Sequence, residues 1–318
     1  MTQSRSLITG AAGFIGMHLV RRLLARGDEV HVLVRPETAP ARLQALADEV
    51  TVHRLALADA DALTQCLKRA APEQIFHLAS ETRKTVTPGF VAARQTILDY
   101  QVELITLLEA LAGMPQPPKS LVRAGTIAEY GEAPVPGHED QREAPTTPYG
   151  AAFAAGTHYI QMLAGILPFP VVTPRLALVY GAGQSEAFLI PAMIRACLEG
   201  RKTVVRRPRD RRDLLYIEDA IEALVRCGDA PPPGCSVINI CTGMAPTMRE
   251  VAGIVIAATK ADPSLVAFDE SDPNQTVSEL WATTDRAREL IGWSSTTALD
   301  AGIARTVAAM RRSSPVLA

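Results

Sequence analysis

The chain has 318 residues, 47% hydrophobic and 21% charged, with a formal net charge of −2. This is enough apolar material for one large domain or two, and a near-neutral balance excludes a whole-molecule attraction to nucleic acid or an anionic membrane. No apolar run reaches the ~20 residues of a membrane span, the first strand begins by residue 6, and the five cysteines lack metal-ligand spacing, so the expectation is a cytoplasmic, metal-free protein with reduced core thiols.

The first apolar strand covers residues 6–9 and runs into Gly10-Ala11-Ala12-Gly13-Phe14-Ile15-Gly16, after which a helix starts near Phe14 and continues through Leu24. Strand, glycine turn and helix in that order form a phosphate cradle. Gly10 permits the tight turn, Gly13 admits a pyrophosphate to the backbone, Gly16 lets helix and strand touch, and the amides at the helix start, Phe14 and Ile15 included, face the anion. The helix ends at Arg26-Gly27, and a second strand covers 30–34. A strand at 50–55, a helix at 60–70 and a strand at 74–78 repeat the alternation, which predicts a parallel sheet covered on both faces. Next come a helix over 90–111, a strand over 120–124, a helix after Tyr149, and a strand over 171–180 that ends in Gly181-Ala182-Gly183. Beyond it, helices at 187–199 and 217–227 flank an arginine-rich loop, a strand at 236–240 precedes a helix at 248–259, and two helices, 284–290 and 299–311, close the chain.

In dinucleotide-binding units of this kind an acidic residue at the end of the second strand holds the adenosine ribose of NAD. Here that place reads Leu33-Val34-Arg35-Pro36. With no carboxylate there, Arg35 is the candidate partner for a 2′-phosphate, which favours NADP, with NAD as second choice.

The ordered set Gly10, Gly13, Gly16, His77-Leu78-Ala79, Thr126, Tyr130-Gly131, Pro148-Tyr149-Gly150, Arg175, Tyr180-Gly181 and Arg212-Asp213 resembles the extended short-chain dehydrogenase/reductases. Within them it is similar to the NAD(P)-dependent epimerases, dehydratases and reductases of nucleotide sugars. The resemblance runs nearly end to end. It implies a doubly wound Rossmann α/β domain over 1–180, a smaller C-terminal α/β substrate domain over 181–318, and a chain that recrosses between them near 215–245. It also implies a homodimer through the helices at 90–111 and 149–163. By motif, Thr126 is the catalytic hydroxyl and Tyr149 the acid/base, while Leu78, Ala79 and Tyr149 join the glycine turn at the dinucleotide. Thr82, Arg83 and Lys84 fall in a loop that family members place near the nicotinamide, and are candidate substrate contacts.

The family carries a lysine four residues after the tyrosine, and here that position is Phe153. Residues four apart share a helix face, so such a lysine sits beside the phenol. At ~4 Å and an effective dielectric near 20 that pair is worth ~4 kcal/mol, or about three pKa units. Without it Tyr149 stays protonated near neutrality, able to give a proton but not to take one. Reduction of a keto-sugar therefore suffers least. The Asp-Glu of the family's dehydratases is Ile127-Ala128 here, and the positions of three further family side chains are Ala56, Tyr100 and Leu178. Two alternatives remain open: an epimerase using Arg83 or Lys84 as a surrogate cation, and a silent dinucleotide-binding relative.

The loop Arg206-Arg207-Pro208-Arg209-Asp210-Arg211-Arg212-Asp213 concentrates positive charge in a slightly acidic chain. In the family the arginine at Arg212 binds the nucleotide-sugar diphosphate, and Arg207 is a further candidate by the same bidentate logic.

Overall fold

Strand β1, Arg5–Thr9, lies inside the main sheet, between β2 (Glu29–Val34) and β4 (Gln74–His77). The computed structural model describes residues 4–38, 44, 48–80, 89–272 and 276–313. The sheet is parallel throughout, in the order β12 (Cys235–Ile240), β7 (Val171–Leu176), β5 (Ser120–Arg123), β4, β1, β2 and β3 (Thr51–Arg54), with β6 (Gly125–Thr126) also paired to β7. Four of the five residues of β1 and all four of β4 are buried, as a sheet covered on both faces requires. One face packs on α1 (Phe14–Arg26) and α7 (Ile217–Asp229), and the other on α2 (Ala60–Ala70), α4 (Glu103–Ala112) and α5 (Pro148–Leu163).

Strand order reverses between β1 and β4, so the carboxyl ends of these two strands open the crevice in which doubly wound sheets bind ligands. After β7 the chain leaves the sheet through β8 (Leu178–Tyr180), α6 (Leu189–Leu198), β9 (Thr203–Val205), β10 (Arg211–Arg212) and β11 (Leu214–Tyr216), and returns through α7 to β12. The rest of the smaller α/β region comprises α8 (Met248–Thr259), β13 (Val266–Phe268), β14 (Glu279–Leu280), α9 (Asp285–Ile291) and α10 (Leu299–Ser313). Its strands pair two by two and in parallel, β8 with β11, β9 with β13 and β10 with β14. No helix among the described residues is long and apolar enough to cross a membrane.

Two elements depart from the sequence reading. The strand expected over 171–180 breaks at Ala177, where β8 turns away from the sheet to meet β11. The single helix expected over 90–111 is α3 (Phe90–Thr96) and α4, joined by the π-helical segment Ile97–Val102. Hydrophobic periodicity is blind to one wider turn, and such turns recur at functional sites.

The turn Ile127–Glu129 after β6 is held from below by a buried ion pair. Glu129 and Arg175 are both fully buried, and Arg175 Nε donates to Glu129 Oε2 at 2.9 Å. Glu129 also accepts from Thr157 Oγ1 of α5 at 2.9 Å and from the Thr126 amide at 3.0 Å, while Arg175 also pairs with Glu143. The Arg175 guanidinium lies over the Tyr130 ring at 4.7 Å. Burial alone would lower its pKa, but Glu129, Tyr130 and Glu143 outweigh that and raise it. Removing one partner of such a pair strands the other charge. We expect Arg175→Met to cost about 3–5 kcal/mol in urea unfolding, whereas Arg195→Ala, which breaks a surface pair with Glu186, costs about 1 kcal/mol or less.

Candidate functional site

The glycine turn is a close approach of backbone to backbone. Gly10 has φ +70°, and a Cβ on it would sit 2.6 Å from the carbonyl carbon of Leu78 and 2.7 Å from the Ala79 amide. A Cβ on Gly16 would lie 2.3 Å from the Gly10 carbonyl oxygen. No larger residue fits either place. Gly13 caps α1 with no side chain bonded to the first turn and no acidic residue in it, so the helix presents its amide end to a ligand without a competing anion. This cradle fits the pyrophosphate of a dinucleotide, with Gly13, Phe14, Ile15 and Gly16 as the residues that would hold it. Leu78 and Ala79 form its floor. Beneath them the His77 Nδ1 lies 2.9 Å from Thr9 Oγ1, and burial, followed by the Arg123 charge, pushes this imidazole down to about 3.

Thr147 and Pro148 start α5: the Thr147 side chain accepts from the Gly150 amide at 3.0 Å, and Pro148 opens the first turn. A Cβ on Gly150 would meet the Ala128 carbonyl oxygen at 2.5 Å, so the helix start is pressed against the turn after β6. That contact brings Tyr149 close to Thr126, whose hydroxyl favours the ionised phenol. Burial, with Tyr100 and Glu129 adding to it, pushes the Tyr149 phenol above its usual range, while the Thr126 hydroxyl and the Arg123 charge pull the other way. In the lysine's place the Phe153 ring packs between two tyrosines, 4.6 Å from Tyr149 and 5.5 Å from Tyr100 of the π-helical segment. The arrangement holds a protonated phenol beside a second hydroxyl at the edge of the crevice, which can polarise a carbonyl and protonate its oxygen.

Arg35, just past β2, is half exposed, and its guanidinium lies 3.6 Å from Glu103 Oε1 on α4. Burial raises the Glu103 carboxyl above the ordinary range, and Arg35 opposes this. Sequence reasoning missed Glu103, since it lies 68 residues downstream and only the docking of α4 brings it to the strand end. Thr82, Arg83 and Lys84 lie outside the described residues.

The arginine cluster is ordered around one acid rather than around Tyr149. Arg207 Nε and Nη2 donate to Asp210 at 2.6 and 3.0 Å, and Arg212 Nη2 donates to the same carboxylate at 3.1 Å. Burial would raise Asp210, but Arg207, the Ser278 amide and Arg212 outweigh it and hold the carboxyl low. Arg212 is further tied to the Ser278 carbonyl at 2.6 Å, and burial lowers its guanidinium. Asp213 accepts four bonds, from the amides of Thr242 and Gly243 and the Thr242 hydroxyl, and so fastens β11 to the end of β12. Burial nonetheless lifts its carboxyl to about 6. Two further buried charges had no sequence signal. Glu129 and Arg123 sit at positions where an apolar strand and turn were all that the pattern asked for.

A model of the NAD dependent epimerase/dehydratase family matches residues 6–241. The UDP-glucose 4-epimerase of Mycolicibacterium smegmatis (strain ATCC 700084 / mc(2)155) is 33% identical over 98% of this chain and 99% of its own length. The dTDP-6-deoxy-L-talose 4-dehydrogenase (NAD(P)(+)) of Kitasatospora kifunensis is 30% identical over 91% of this chain and 90% of its own. Among solved structures, the UDP-glucose 4-epimerase of Thermus thermophilus, in complex with NAD, superposes with a TM-score of 0.81 at 27% identity, covering 98% of this chain and all of that one. The chain belongs to the NAD-dependent epimerase/dehydratase family, the extended short-chain dehydrogenase/reductases that act on nucleotide sugars with an NAD(P) cofactor.

Proposed function

We propose that this protein reduces the keto group of a nucleotide-activated sugar, with NADPH as the preferred cofactor. The observation that carries this reading is the exchange of the family lysine for Phe153 next to a phenol whose burial keeps it protonated. Such a tyrosine carries a proton to give at neutral pH and is scarcely ever in the form that accepts one. When bound, the dinucleotide supplies the hydride. As the carbonyl carbon gains it, the carbonyl π pair moves to oxygen, which takes the Tyr149 proton and leaves a tyrosinate for solvent to reprotonate. Thr126, beside Tyr149, orients the phenol and shares the developing charge on the sugar oxygen. Arg212, with Arg207 beside it, would meet the diphosphate. Similarity to UDP-glucose 4-epimerases supports a second reading, interconversion at C4 without net cofactor consumption. Assaying NADPH oxidation with nucleotide 4-keto-sugars, alongside interconversion of UDP-glucose and UDP-galactose, separates the two. Substrate-dependent oxidation supports the reductase, and interconversion alone overturns it.

Tyr149→Phe is expected to lower kcat by about 10²- to 10⁴-fold with dinucleotide affinity retained, by fluorescence titration. The sign of the pH dependence follows from the raised phenol. The donor is protonated at every pH below its pKa, which lies above the usual value of about 10, so wild-type reduction stays level across the neutral range while oxidation of the product alcohol rises with pH.

Arg35 and Glu103 make opposite demands on a 2′-phosphate. Arg35→Ala is expected to weaken NADPH binding by about 10-fold or more and leave NADH nearly unchanged, and Glu103→Gln to tighten NADPH. Calorimetric titration with both cofactors checks this, and an equal loss for the two would return the preference to NAD.

The assembly we infer is a homodimer. Around α3, the π-helical segment and α5, Phe90, Ile97, Leu98, Met162 and Ile166 are all more than half exposed, an apolar patch of the kind that a second copy covers. Leu98→Glu with Met162→Glu is expected to convert a dimer to a monomer by light scattering, without loss of helical circular dichroism.

A further inference from the structure

A buried cation does stand behind the phenylalanine that replaced the family lysine. Arg123, the last residue of β5, is 4% exposed, and its guanidinium carbon lies 4.7 Å from the Phe153 ring centroid. With the Phe153 and Tyr149 centroids 4.6 Å apart and the two rings tilted by 44°, the guanidinium lies within about 9 Å of the Tyr149 ring. Nη1 donates to Thr157 Oγ1 at 3.2 Å and Nη2 to the Phe153 carbonyl at 3.1 Å. Both acceptors are neutral. The nearby carboxylates, Glu129 and Glu143, already bind Arg175 directly. A guanidinium is charged at every accessible pH, and burying one with no directly bonded carboxylate, as here among the described residues, is costly. The helix facing it is shaped to admit it: a Cβ on Gly156 of α5 would meet Arg123 Nη2 at 2.5 Å. Arg123 also lines the small cavity that Leu78, Ala79, Tyr100 and Phe153 enclose beside the glycine turn.

We propose that Arg123 supplies from β5 the positive charge that the family places on α5, and that it stabilises the tyrosinate left when Tyr149 gives up its proton. The proposal rests on the reading of Tyr149 as proton donor. Arg123 is a supporting group that acts on the phenol and not by contact with cofactor or sugar. The electrostatics of the site agree: burial depresses the guanidinium, and Glu129 and Tyr149 pull it back up.

The test replaces Tyr149 by 3-nitrotyrosine, whose ionisation is read by absorbance in the purified, ligand-free protein. The other groups that bear on this phenol are Tyr100 of the π-helical segment, Glu129 of the turn after β6 and the Thr126 hydroxyl, and all stay constant. Arg123→Gln keeps a hydrogen-bond donor and removes the charge. It is expected to raise the phenol pKa at position 149 by about one to two units, whereas Arg123→Lys leaves it near the Arg123 value. Adding Phe153→Lys to Arg123→Gln is expected to bring the pKa back down. If the Gln variant does not fold, Arg123→Met makes the same comparison. An unchanged phenol pKa in a folded neutral variant overturns the proposal. In the active protein the neutral variant is expected to lower kcat about 10-fold or more with KM steady, and Lys to rescue it. Absence of keto-sugar reduction in the wild type would overturn the proton-donor reading alone, because the absorbance shift is measured without substrate.

Discussion

A single carboxylate with no solvent exposure, Glu129, ties together the parts that matter. It accepts from Arg175 on β7, from Thr157 on α5 and from the amide of Thr126. Strand, helix and turn are thereby held to one another within a few ångströms, and Thr126 and Tyr149 cannot drift apart without unbonding a buried charge. Such a network is costly to assemble and rigid once complete. Rigidity is what Thr126 and Tyr149 would require to act together on one carbonyl oxygen in the role proposed for them.

Around that anchor the site has exchanged one solution for another. A lysine on α5 would place a flexible, hydrated charge against the phenol. Here Tyr100, Phe153 and Tyr149 fill that volume with aromatic rings, and the positive charge lies underneath on β5 as Arg123. An arginine suits the burial better than a lysine, because its planar guanidinium can stack on the Phe153 face while its edge bonds the Phe153 carbonyl and Thr157. The π-helical turn at Ile97–Val102 belongs to the same exchange, since it carries Tyr100, whose ring meets Phe153 edge-on at 5.5 Å. The outcome is a drier, more apolar surrounding for the Tyr149 phenol, which agrees with the proton-donor role proposed for it.

The doubly wound sheet was legible because it depends on local signals. Alternating apolar strands and amphipathic helices, separated by glycine turns, leave few ways to bury both faces of a parallel sheet. Gly10 and Gly16 could be read as close-approach positions from spacing alone, and the structure shows the carbonyls they clear. The smaller region was less legible. Its strands are two or three residues long and pair with segments far away, as β10 does with β14, so no periodicity announces them. Arg207 and Arg212 were legible as a concentration of charge. That Asp210 gathers both was not, because three residues along the chain the arginines could equally have faced solvent.

By itself, the sequence determined the family, the parallel sheet, the glycine cradle and the vacancy of a lysine at position 153, each carried by residue type and short-range spacing. Only the tertiary structure decided what fills that vacancy and what stands near Arg35. Arg123 reaches Phe153 from 30 positions away, and Glu103 reaches Arg35 from 68. Both contacts are made by side chains on separate elements whose meeting depends on how helices dock on the sheet. The free energy of a buried charge depends on everything packed around it, and that neighbourhood exists only once the chain has folded.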